Sequence, residues 1–180
     1  AGGSSETRMA IRPAVQPRPS RPQVTDPVSH AAQNFEKWMA ADRVTELVEY
    51  YPFLPTPTQR QKVMSWAVDK AREGNLHPLL SIGVEDVDTS VRRHVYRLLD
   101  TIPADLLLSK LAEDRYTIRE RRSAAVVLGR CRDPRAGRIL VLLADHEDAR
   151  VRESALQALA QFPVTPGLQL PIFTRRLEED

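Results

Sequence analysis

Between Arg115 and Arg138 the chain carries eight arginines, at 115, 119, 121, 122, 130, 132, 135 and 138, opposed only by Glu120 and Asp133. A guanidinium is planar, permanently charged and forked, so it grips a carboxylate or a phosphate with two parallel hydrogen bonds. Three fates are open to such a run. It can be a solvated face with local ion pairs, the commonest outcome for surface charge. It can seat an acidic segment of another protein. It can hold nucleic-acid phosphates. The totals argue against the last: formal net charge is +2, and from residue 31 to 180 basic and acidic residues balance at 22 each.

Other side chains with chemical potential are sparse. Cys131 is the only cysteine, so no internal disulfide can form. It follows the apolar run AAVVLGR and reads as a small buried or half-buried residue at a helix end. The histidines at 30, 77, 94 and 146 form no motif with it. His146-Glu147 is a lone His-Glu pair, too little for a metal centre, and reads as a polar turn. There is no glycine-rich phosphate loop, no CxxC and no Gly-x-Ser-x-Gly. No catalytic residue, metal or cofactor is expected.

The elements that must position these arginines are helical. From about Ala31 apolar residues recur with helical spacing, and no alternating strand pattern appears. FEKWMAADRVTELVEYY places Phe35, Trp38, Met39, Val44, Leu47 and Val48 on one face of a single predicted helix. TPTQRQKVMSWAVDKAREGN opens on Thr-Pro and closes at Gly74-Asn75, good helix bounds. Further pairs are predicted near 76–101, 103–131 and 134–162, after a first near 35–73. Residues 163–180, PVTPGLQLPIFTRRLEED beyond Phe162, break the pattern and are expected to cap the last pair.

Residues 1–30 differ. Prolines at 13, 17, 19, 22 and 27 sit among Arg8, Arg12, Arg18 and Arg21, with no apolar period. Such a stretch cannot bury enough surface to offset its ordering entropy and reads as a disordered, polyproline-like arm. PRPSRP fits an SH3-type ligand, although proline-rich linkers are commoner. AGGSSETR reads as an appended remnant before a natural start at Met9, or as a processed end. No apolar run nears the ~20 residues that span a bilayer, and the cytoplasm is the favoured compartment, though the sequence leaves it open.

DTSVRR at 88–93 and DARVRE at 148–153 share the phrase Asp-x-x-Val-Arg. Aligning second helices puts Arg60, Arg92, Arg121 and Arg152 in one column, spaced 32, 29 and 31 residues apart. Val63, Val95, Ala124 and Ala155 form a second column, and Ala67, Leu99, Leu128 and Leu159 a third. A two-helix unit recurring at this spacing is the mark of an α-solenoid, in which each unit covers its neighbour's apolar face. Asp88 and Asp148 are placed to cap their helices.

The pattern Asp-x-x-Val-Arg-x-x-Ala-x-x-Ala-Leu resembles the HEAT-like repeat, in particular the short phycobilisome-lyase type. DARVRESALQALAQF fits it best. DTSVRRHVYRLLDTI substitutes Val95 and Tyr96 for small residues, and TIRERRSAAVVLGRC lacks the Asp and departs at Glu120. The resemblance covers about 35–162. It implies an all-α, right-handed solenoid of about four helix pairs. It also implies that the column arginines, Arg60, Arg92, Arg121 and Arg152, reach a neighbouring unit's Asp and tie the stack. HEAT-like alkylpurine DNA glycosylases need an aromatic cleft with a catalytic Asp, and HEAT-like deoxyhypusine hydroxylase needs several His-Glu pairs; neither is marked here.

In solenoids of this kind second helices line the concave face. The outward sets are then Gln61, Arg93, Arg122 and Glu153, and next Ser65, Arg97, Val126 and Gln157, with Arg130 a turn further. The expectation is a non-catalytic adaptor or scaffold that binds a protein partner, through an acidic segment, with Arg93, Arg97, Arg122 and Arg130. The competing class is an enzyme or enzyme subunit, lyase-like or DNA-processing. A competing surface is the aromatic first pair: Phe35, Trp38, Tyr50, Tyr51, Phe53 and Trp66 make either a core cap or an exposed anchor.

Overall fold

The structure, a computed structural model, describes residues 26–163. Their regular elements are all helical, and no strand occurs among them. The helices are α1 (Pro27–Ala40), α2 (Val44–Tyr50), α3 (Pro57–Arg72), α4 (His77–Ile82), α5 (Thr89–Leu99), α6 (Ala104–Leu111), α7 (Ile118–Arg130), α8 (Arg135–Ala144) and α9 (Ala149–Gln161), with a 3₁₀ turn at Tyr51–Phe53. The Arg-bearing arm and PRPSRP up to residue 25, and the expected cap from residue 164 on, lie outside the described residues.

The start of the first helix differs from the sequence reading. Pro27, taken above as an arm residue, opens α1: Asp26 caps it by accepting from the Val28 and Ser29 amides, and proline suits a first turn whose N–H would be unpaired. The predicted single helix over 35–51 is also two. Asp42 adopts a left-handed φ of 51° and Arg43 N–H bonds back to the Trp38 carbonyl, so α1 stops and α2 starts afresh. Apolar spacing continues across the break, so periodicity alone hides it. Asp, with its short polar side chain, tolerates this backbone.

The aligned columns are the core. Val63, Val95, Ala124 and Ala155 are buried, as are Ala67, Leu99, Leu128 and Leu159. α3 packs on α4 and α5, α4 on α7, and α7 on α8 and α9, while α8 also covers α9. α7 and α9 approach closely. A Cβ on Gly129 would stand 2.8 Å from the Ala158 Cβ, so the glycine is what lets these helices close.

Caps follow the phrase. Asp88 accepts from the Ser90 and Val91 amides, and Asp148 from Arg150. Where α7 lacks that Asp, Thr117 and Glu120 form a reciprocal capping box.

Candidate functional site

Three of the four column arginines work locally. Arg152 Nη1 donates to the His146 and Glu147 carbonyls at 2.9 and 2.7 Å. Arg92 Nη1 does the same to Asp86 and, at 2.9 Å, to Val87. Arg121 donates to the Tyr116 carbonyl at 3.0 Å and pairs with Asp114. Each guanidinium therefore folds back on the turn before its own helix and satisfies carbonyls there. Among the described residues none of these three reaches an Asp of a neighbouring unit, so at Arg92, Arg121 and Arg152 the reach implied by the repeat is corrected. Of the column arginines Arg60 alone crosses to the next unit: Nη1 donates to the Leu54 carbonyl at 2.7 Å, and Nε lies 3.2 Å from Asp86 Oδ2. The Tyr51 hydroxyl donates to the same Asp86 oxygen at 2.6 Å.

That local role leaves other guanidiniums for a ligand. A groove of about 500 Å³ is lined by Arg92, Arg93 and Arg97 of α5 and by Arg130 and Arg132 at the end of α7, with Tyr96 and Asp100 in its wall. It exists because α5 packs on α3, whereas α7 packs on α4 and α9. Arg130 stacks on Tyr96, its Cζ 3.4 Å from the ring centre. Among the described residues Arg93, Arg97 and Arg132 have neither an ion pair nor a side-chain hydrogen bond, and all three are exposed. Asp100 is the one carboxylate among the described lining residues. Four charged forks thus face solvent with one acid between them. Such an arrangement suits a ligand that brings its own negative charge.

Of the four arginines expected to act together, Arg93, Arg97 and Arg130 share this groove and Arg122 does not. Arg122 Nε sits 3.4 Å from Ser154 Oγ of α9, in a separate depression of about 180 Å³ with Glu85 and Arg119. Eight residues of helix, about 12 Å at 1.5 Å per residue, separate it from Arg130. Arg132, beyond the helix end and off the repeat columns, is the groove residue that column counting misses.

Two further polar clusters escaped the sequence reading because their members are far apart in the chain. Glu120 is buried, 3% exposed. Its Oε2 accepts from Thr117 N–H at 2.9 Å, and its Oε1 accepts from the Ser81 hydroxyl at 2.9 Å and from His77 Nδ1. Burial alone would push this carboxyl up, but the bonds from Thr117, Ser81 and His77 outweigh it and hold it below its ordinary value. The Ser81 hydroxyl donates its hydrogen bond to the carboxylate, and the trio staples α4 to α7. Ser65 Oγ lies 2.8 Å from His94 Nε2, joining α3 to α5. Burial and the Arg97 charge lower the His94 pKa. Among the described residues no carboxylate orients that imidazole.

The aromatic first unit is mostly packed. His30, Trp38 and Tyr50 lie with ring centres 5.0 to 5.4 Å apart, Phe35 is buried, and Phe53 stands 41% exposed. His146 Nδ1 accepts from Asp148 N–H at 3.0 Å, an intra-turn bond. Among the described residues no three His, Cys, Asp or Glu side chains gather to hold a metal ion, and no helix is long and apolar enough to cross a membrane. Comparison with models of known protein families, with curated proteins and with solved structures found no match to the chain.

Proposed function

We propose that the protein is a non-catalytic adaptor: a short right-handed α-solenoid of about four HEAT-like helix pairs that binds an acidic segment of another protein. The α5–α7 groove is its seat, and Arg93, Arg97, Arg130 and Arg132 are the residues that hold it. The observation that carries this reading is the set of guanidiniums left without carboxylate partners beside a stacked Tyr96. Several arginines elsewhere are paired with carboxylates: Arg135 with Asp105 and Asp133, Arg150 with Asp148, Arg43 with Glu46. Leaving several like charges together costs self-repulsion, which a ligand's carboxylates would relieve.

The stacking of sequence-adjacent helix pairs, the buried columns and the turn-tying arginines support the solenoid. The experiment is capture from nuclease-treated lysate of the source organism, with the wild type, an Arg93→Glu/Arg97→Glu variant and an Arg122→Glu variant as baits of equal helicity. Proteins retained by the first and third baits and lost from the second are the expected result. A captured set indifferent to the groove variant would overturn the assignment, and capture that vanishes with nuclease treatment would move it to nucleic acid.

A further inference from the structure

A second hollow, about 350 Å³, opens where α5 and α7 end. Leu99, Ile102, Ala104, Leu107 and Val127 line it, and Cys131 borders it. It persists because α6 is a short helix that packs against α8 and does not close onto α5. Its volume lies within the range of sites that hold small apolar groups, roughly 300 to 1,000 Å³. Asp100, Arg130 and Arg132 line both this hollow and the arginine groove, so an apolar floor and a cationic trough meet at one corner.

We infer that the site recognises an acidic segment of a partner protein carrying one large apolar side chain among its carboxylates, with that side chain seated in the hollow beside Ala104, Leu107 and Val127. This inference rests on the adaptor reading above. The carboxylates choose the occupant, because Arg130 and Arg132 at the shared corner lack carboxylate partners among the described residues. The apolar lining supplies what charge alone does not. Burying the side chain adds affinity and drives water from the neighbouring ion pairs, which strengthens them.

The test uses the full chain and two labelled peptides: a short run of Asp and Glu with a central leucine, and the same run with serine there. The leucine peptide is expected to bind about tenfold more tightly, about 1.4 kcal/mol. It should also shield Cys131, the only thiol, from iodoacetamide, whereas the serine peptide should not. Ala104→Trp, at a half-exposed wall position, is expected to erase the leucine preference and leave the serine peptide's affinity in place. Arg93→Glu/Arg97→Glu should weaken both peptides. Equal binding of the two peptides with an unshielded thiol would overturn the inference and leave the adaptor reading standing. Binding of neither would overturn both. Displacement of the leucine peptide by octanoate at comparable concentration would instead assign the hollow to a free amphipathic acid and sink the peptide inference.

Discussion

Arg130 Cζ lies 3.4 Å from the centre of the Tyr96 ring, a stack that joins the end of α7 to the flank of α5. An arginine on an aromatic face keeps its charge and loses conformational freedom before any ligand arrives. Tyr96→Phe is therefore expected to retain binding of an acidic peptide, and Tyr96→Ala to weaken it severalfold. Fluorescence anisotropy of the labelled peptides reads both. Equal affinities for Ala and Phe variants would show that the stack contributes nothing.

The contact between Gly129 and Ala158 should be intolerant of a single methyl group. Gly129→Ala puts its Cβ 2.8 Å from the Ala158 Cβ and 3.2 Å from its Cα, with no flexible atom to yield. A loss of about 1–3 kcal/mol is expected, the usual scale for overpacking. Adding Ala158→Gly to the same chain should restore part of it, a coupling that denaturant melts of the four species would measure.

Asp86 joins the first two units and should be costly to remove. Its carboxylate accepts from Tyr51, lies beside Arg60 and accepts from Asp88 N–H at 2.8 Å. The side chains of Arg60 and Asp86 are only 14% and 5% exposed. Asp86→Ala would strand a buried guanidinium, for which a cost of about 3–5 kcal/mol is expected in urea melts. Burial and the Asp86 bond push the Tyr51 phenol far above its ordinary value. It should stay un-ionised in alkaline absorbance titrations for as long as the fold persists.

Glu120 sets part of the acid limit. Its folded pKa is lowered, so its contribution is present above the unfolded value and is lost as pH falls through the folded one. Wild-type stability should decline across that acid interval, and Glu120→Gln should flatten the decline. Glu120→Ala, which removes the acceptor shared by the Thr117 amide and the Ser81 hydroxyl, should cost about 1–3 kcal/mol at neutral pH. Parallel pH slopes for wild type and Gln variant would contradict the role.

What the sequence shows and hides follows from range. The buried columns and the Asp88 and Asp148 caps depend on residues within one or two helical turns, so spacing reveals them. The break at Asp42 depends on one backbone angle inside an unbroken apolar pattern. Glu120 looks like a lapse from the repeat until Ser81, 39 residues earlier, is found against it. Arg122 and Arg130 share a helix and a charge, and only the packing of α7 on α9 sends the first toward Ser154 and leaves the second on Tyr96. Repeat alignment assumes evenly spaced second helices, and the gap between α5 and α7 is where that assumption fails.

The α5–α7 groove, and not the arginine run as a whole, is the surface proposed to bind acidic protein segments. The most direct test is equilibrium binding of the leucine-bearing acidic peptide to the wild type, to Arg93→Glu/Arg97→Glu and to Arg122→Glu, with circular dichroism confirming equal helicity. Each variant reverses charge in the same run or beside it, so net charge alone would weaken both. Binding that falls at least tenfold in the groove variant and holds within about twofold in Arg122→Glu, where tenfold is about 1.4 kcal/mol, is the predicted result. Affinity that falls in proportion to the charge reversed, wherever it lies, would contradict it.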